Sequence, residues 1–192
     1  MTPRIGVLAL QGDFREHLYA LDRIGVEGVG VRTQQELASV DGLIIPGGES
    51  TTIGKLARIF DLFEPIQSAI RSGLPTFGTC AGLIMLADRI VDGVAGQETF
   101  GGLDVTVRRN AFGNQLDSFE SDIEFVGVGQ PIHVAFIRAP LIVDAGTATV
   151  RASLEDGRIV GVSQGNILGI SFHPEVTNDD SVHKLFLEEF VK

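Results

Sequence analysis

PTFGTCAGLIML, Pro75–Leu86, is the stretch on which the reading of this 192-residue chain turns. It opens as a short apolar strand, Leu74–Phe77, bounded by Gly73 and Gly78, and continues as an apolar, helix-competent run from Ala81 to Ala87. Between them stands Cys80, the only cysteine, inside Gly78-Thr79-Cys80-Ala81-Gly82. A Gly-x-Cys-x-Gly turn between strand and helix is the thiol form of a nucleophile elbow. Its glycines let the backbone turn sharply and the helix approach the strand, which forces the cysteine into an exposed, strained position. The unpaired N–H groups that open the following helix can lower a thiol pKa and hold an oxyanion. An arbitrary lone cysteine is more often a small buried hydrophobe; the turn chemistry around this one reverses that reading.

Toward the N-terminus the chain alternates strands and helices. Ile5–Leu10 (IGVLAL) is a continuous apolar run, as expected of a strand buried on both faces. Asp13-Phe14-Arg15-Glu16 reads as a capping box, opening a helix with Phe14, Leu18, Leu21 and Ile24 on one face and Gly25 to end it. Val26–Val31 is a second strand, Gln34–Ala38 a weak short helix and Leu43–Ile45 a third strand. Pro46-Gly47-Gly48-Glu49-Ser50-Thr51-Thr52 then leads into a helix from about Ile53, and a further helical stretch, about Leu62–Ser72, precedes the elbow. This rhythm predicts parallel pairing in a doubly wound, flavodoxin-like α/β sheet with helices on both faces.

Toward the C-terminus the pattern changes after Ile90. Gly93–Gly102 reads as a loop, and Val105–Val107, Ile123–Val128, His133–Ile137 and Thr149–Leu154 as short strands of an appended antiparallel region. Glu155-Asp156-Gly157-Arg158 is a tight turn that pairs Ile159–Ser163 back. Ile167–Phe172 is the last buried strand and runs into His173-Pro174-Glu175. Asp179 or Asp180 caps a terminal helix through Val191, with Val182, Leu185, Phe186 and Phe190 facing inward. No repeat, low-complexity segment or linker divides residues 1–192, so a single domain is expected.

Composition narrows the chemistry. A net charge of −10 argues against nucleic acid, since phosphate binding needs a basic face. One cysteine allows no internal disulfide and no thiolate-rich metal site, and the four histidines lack metal-ligand spacing. No apolar run reaches the ~18 residues of a membrane span. No basic-then-apolar leader opens the chain, so no membrane partner and a cytoplasmic setting are expected.

His173 and Glu175 complete the case for Cys80. In an extended segment residues i and i+2 point to one side, and Pro174 keeps His173 out of helix. A catalytic thiol needs a base, and the base needs an orienting acceptor; His173 and Glu175 fit those roles. Gly47-Gly48, between strand and helix, can aim backbone N–H groups at a ligand oxygen. With the N–H of Ala81 they would form an oxyanion hole, each donor worth roughly 2.7–4 kcal/mol in the transition state. All three elements fall at carboxyl ends of strands, where doubly wound sheets bind ligands. Isolated, a Gly-Gly or a His-Pro-Glu is more often structural.

PGGES, GTCAG and SFHPE, in that order, make the chain resemble the class I, triad-type glutamine amidotransferases. More narrowly, it is similar to the glutaminase subunits of pyridoxal 5′-phosphate synthase. That narrower likeness rests on LALQGD (Leu8–Asp13) with His17, PGGESTT, GTCAGLIML, RNAFG (Arg109–Gly113) with Asp117-Ser118-Phe119, and FIRAP (Phe136–Pro140). The resemblance implies Cys80 as nucleophile with His173 and Glu175 completing the triad. It also implies that Gly48, Glu49, Ser50, Arg109, Ile137 and Arg138 contact L-glutamine; from sequence alone both arginines would be surface residues.

The expected reaction is hydrolysis of L-glutamine to glutamate and ammonia through a glutamyl thioester, with neither metal nor organic cofactor. The fold leaves no room for a second domain, so the ammonia acceptor belongs on another chain; the resemblance implies the synthase subunit. Gln11–Asp13 and the helix it opens are the expected contact, and a Gly47-Gly48 peptide flip the expected control. Three rivals stand beside this reading. A cysteine hydrolase of the same fold would need neither PGGES nor a partner, and a non-catalytic thiol protein would not need His173 and Glu175. A glutaminase serving another pathway would share every motif of the general class.

Overall fold

The computed structural model describes residues 2–109 and 118–191. Residues 110–113 of the RNAFG motif, and Asp117, lie outside the described residues. The elements begin with β1 (Arg4–Leu8), α1 (Phe14–Arg23), β2 (Glu27–Val31), α2 (Gln34–Leu37), β3 (Gly42–Ile45), α3 (Ser50–Ile59) and α4 (Phe63–Arg71). They continue through β4 (Thr76–Thr79), α5 (Ala81–Leu86), β5 (Ala87–Val91), β6 (Leu103–Arg108), β7 (Phe119–Ile123) and β8 (Ile132–Phe136). The last are β9 (Leu141–Asp144), β10 (Thr149–Ser153), β11 (Ile159–Gln164), β12 (Ile167–Ile170) and α6 (Ser181–Glu189).

The main sheet runs β2-β1-β3-β4-β12-β11-β9-β6-β5, with β10 added on β11. From β2 to β12 every pairing is parallel; beyond β12 the β12–β11, β11–β9 and β9–β6 pairings are antiparallel, and β6–β5 at the far end is parallel again. This is the doubly wound sheet with an antiparallel extension that the sequence predicts. The continuous apolar runs have a direct cause: both faces are covered. Along β3, Leu43 and Ile45 face a core shared with α3, α4 and α5, while Ile44 faces one shared with α1 and α6. The elbow fits because position 82 is glycine: a Cβ there would lie 2.0 Å from the Ile45 carbonyl oxygen.

Several expected elements differ. The capping box at Asp13–Glu16 does not form; Asp13 holds the N-cap position of α1 without a side-chain cap hydrogen bond. A complete box forms instead at Thr33 and Glu36 of α2. α3 starts at Ser50, three residues before the expected Ile53, because the Glu49 carboxylate accepts from the N–H groups of Thr51 and Thr52. Helix α5 gives way to extended backbone at Ala87, and the unpredicted β5 follows. β7 overlaps the expected Ile123–Val128 only at Ile123 and pairs with β8 in a separate two-stranded sheet. Its sequence, FESDI, sets three consecutive polar residues between Phe119 and Ile123, a weaker strand signal than the apolar residues beyond it. β9 was likewise not expected, since Pro140 precedes a run of only four residues ending in Asp144. At α6, Asp180 is the N-cap residue but its carboxylate pairs with Arg23; Asp179 accepts from the Ser181 N–H at 2.9 Å.

Candidate active site

Loops at the carboxyl ends of β1, β3, β4 and β12 converge on one cleft of about 500 Å³. Cys80 sits at φ +49° and ψ −104°, a conformation that costs a non-glycine residue about 1–3 kcal/mol. Its N–H donates to the Ile170 carbonyl at 2.9 Å, which fastens the elbow to β12. His173, just past β12, is anchored by its own N–H to the Ala135 carbonyl at 3.0 Å. Its Nδ1 donates to Glu175 Oε1 at 2.7 Å and its ring also hydrogen-bonds Cys80. The i, i+2 spacing thus does bring His173 and Glu175 to one side, both only 4% exposed. Burial opposes charge on the His173 ring, but the bonds to Cys80 and Glu175 outweigh it and push the pKa up to about 11. The arrangement holds an imidazolium against a sulfur, with a buried carboxylate fixing the ring's other nitrogen.

Gly47 presses on that ring: a Cβ at 47 would lie 2.4 Å from His173 Cε1. Its carbonyl accepts from the Asp13 N–H at 3.1 Å, and Gly48 follows at φ +148°. Of the predicted side chains and loop residues, Gly48, Glu49, Ser50, Cys80, Ala81, Arg109, Ile137, Arg138 and His173 line the cleft, while Gly47 and Glu175 stand behind it. Glu49 is held at a pKa of about 2: burial works against its charge, but hydrogen bonds from Thr51 and Thr52 outweigh that. Arg109 donates to Glu49 at 3.0 Å and Arg138 holds a left-handed backbone, φ +46°.

The profile of the SNO glutamine amidotransferase family matches residues 7–192. The chain belongs to that family. Curated relatives named "Pyridoxal 5'-phosphate synthase subunit PdxT" are 58% identical in Nocardioides sp., over 97% of this chain and 96% of the relative, and 57% identical in Leifsonia xyli, over 97% and 95%. A solved structure described as "Crystal structure of glutamine amidotransferase" superposes with a TM-score of 0.90 at 49% identity, over 96% of this chain and 97% of the other.

Other groups stand at this amidotransferase's site without having been given a role there by the sequence reading. Gln97, within the stretch read as plain loop, donates to Ser50 Oγ at 2.9 Å and accepts from Arg109 at 2.8 Å, tying two cleft residues together. Gln11 accepts from the Glu49 N–H at 2.8 Å through its side chain. The histidines that looked scattered are not: His17 of α1 and His183 of α6 are fully buried behind Glu175. Nothing in their local spacing marks this, because the contacts span 166 residues. Among the described residues, Asp13, His173 and Glu175 could together offer atoms to a cation, but the His173–Glu175 hydrogen bond already occupies two of those groups.

Proposed function

We infer that this chain is the glutaminase subunit of pyridoxal 5′-phosphate synthase, with Cys80, His173 and Glu175 as its catalytic triad. The single observation that carries the triad is the continuous contact Cys80–His173–Glu175 at a strained elbow on the floor of the cleft. The relatives named as synthase subunits support the pathway.

The geometry supports the following chemistry. L-Glutamine binds with its side-chain amide at the elbow, and its α-groups reach toward Glu49, Ser50, Arg109, Ile137 and Arg138. The Cys80 thiolate attacks the amide carbon, and the oxyanion forms against backbone N–H groups of Ala81 and the Gly47-Gly48 loop. His173 transfers its proton to the nitrogen as the C–N bond breaks, releasing ammonia and leaving a glutamyl thioester. The high His173 pKa does not block this step. It is raised by its hydrogen bond and charge contact with Cys80, and that support disappears as the sulfur becomes neutral thioester. Water, deprotonated by the now neutral ring, then hydrolyses the thioester to glutamate. The ammonia goes to the synthase subunit, on which the acceptor chemistry resides.

The test is glutamine hydrolysis with the synthase subunit present. Cys80→Ala is expected to abolish it and His173→Asn to lower it about 10³-fold or more, with a smaller loss for Glu175→Gln. Wild-type turnover by the His173 variant overturns the triad.

A further inference from the structure

Glu175 is a buried carboxylate with only one oxygen satisfied. Oε1 accepts from His173, while Oε2 has no hydrogen-bond partner among the described residues. His17 Nε2 lies 3.6 Å from it, too long for a hydrogen bond but close for a charge and an N–H dipole. The same nitrogen lies 3.2 Å from Thr79 Oγ1, next to the nucleophile, and His17 Nδ1 lies 2.9 Å from His183 Nε2.

Those contacts decide which nitrogen of His17 carries its proton. Burial, then His183 and His173, hold the His17 pKa well below its usual value, so the ring is neutral and has one N–H. If the proton were on Nδ1, a bare Nε2 lone pair would face the Glu175 charge. His183 would then need its proton on Nδ1, leaving a buried N–H without a partner. With the proton on Nε2, the dipole points at Thr79 and Glu175, and His183 Nε2–H donates to His17 Nδ1. The atom left over is then a bare His183 nitrogen, and an orphaned acceptor is tolerated better than an orphaned N–H.

We propose that His17, held by His183, is a positioning residue for the triad: its Nε2–H faces Glu175 Oε2 and keeps the ionised carboxylate aimed at His173. This rests on the triad reading above. The need is greatest after His173 has given up its proton, when Glu175 would otherwise be a buried anion with no positive neighbour. Thr79 shares the same N–H, so one ring braces both the elbow and the orienting acid.

The experiment is a double-mutant cycle read as steady-state glutaminase activity in the complex with the synthase subunit. His17→Leu is expected to lower kcat about 10–100-fold, the size typical of outer-layer partners, with the glutamine KM little changed. His17→Gln, which keeps an N–H donor near the same place, is expected to restore most of that loss. In a Glu175→Ala background His17→Leu is expected to add nothing, because its effect runs through Glu175. Thermal unfolding accompanies each variant; where His17→Leu does not fold, His17→Leu/His183→Leu, which leaves no lone buried donor, takes its place in the cycle. Unchanged kcat in the folded leucine variant, or a full additional loss in the Glu175→Ala background, overturns the proposal. An unimpaired Glu175→Ala enzyme would instead overturn the triad itself.

Discussion

His173 and the pair His17–His183 lie within one buried cluster yet are driven to opposite protonation states, and the difference is what each ring touches. His173 meets a sulfur and a carboxylate and is raised to about 11; His183 is lowered to about 4 by burial, with Arg23 adding to the effect and Asp180 and Asp179 opposing it. His17 faces two other imidazoles, Thr79 and the more distant Glu175, and is also held neutral. The stability consequences have opposite signs. For His17 and His183 the unfolded chain binds protons more readily than the native one as pH falls below about 6.5. Their contribution is therefore present above 6.5 and lost as pH falls toward their native values, with each ring setting a limiting slope of about 1.4 kcal/mol per pH unit. For His173 the native state holds the extra proton, so its contribution is present below 6.5 and lost as pH rises through about 11. Urea midpoints measured at pH 7 and pH 5 are expected to fall in acid for the wild type and to fall less for His17→Leu/His183→Leu. Equal acid losses in both would mean that the buried pair is not the source.

At the level of elements, what was legible in the sequence is what local chemistry determines. The elbow was legible because glycine spacing dictates the turn: Gly82 brings α5 against β3, and only hydrogen fits between its Cα and the Ile45 carbonyl. Gly82→Ala is expected to cost about 1–3 kcal/mol as overpacking and to displace Cys80, so glutaminase activity falls with the melting temperature. Gly129→Ala, where a Cβ meets nothing within 4 Å, is the control and is expected to leave both unchanged. A wild-type melting temperature in the Gly82 variant would remove close approach as the reason for the glycine. The buried strands β1, β3 and β12 were legible for the related reason that a two-sided core favours a nearly continuous apolar run. The failures were long-range. Asp13 matches a capping-box pattern, but its N–H is taken by Gly47 and its carboxylate lies 3.6 Å from His173, so tertiary contacts override the local motif. Gln97 in the loop and the two buried histidines carry no periodic signal, and only folding brings them to Arg109 and Glu175.

On the scale of the whole molecule, the β1 and β3 loops lock together at the mouth of the cleft, and this bears on how hydrolysis is coupled to use of the ammonia. Asp13 N–H holds the Gly47 carbonyl, and Gln11 holds the Glu49 N–H, so both flanks of Gly48 are fastened to the segment that opens α1. A planar peptide fixes the Gly48 N–H opposite the Gly47 oxygen, and reorienting that donor requires breaking the bond to Asp13. Glycine at both positions makes the flip conformationally accessible, and a single oxyanion donor is worth about 10²–10³ in rate. On the proposed reading, a partner docking on Gln11–Asp13 would move the Gly48 N–H directly, without a change elsewhere in the sheet. The isolated chain is expected to hydrolyse glutamine poorly and to be activated by about that factor when the purified synthase subunit is added. Asp13→Lys tests the lever, since it places a charge of the wrong sign at the docking segment and beside His173. It is expected to lower the glutaminase rate reached at a fixed synthase concentration. Equal rates with and without the synthase subunit, and no complex on a sizing column, would remove both partner and switch. Full activation of the Asp13 variant would leave the partner in place and remove only this segment as the contact that throws the switch.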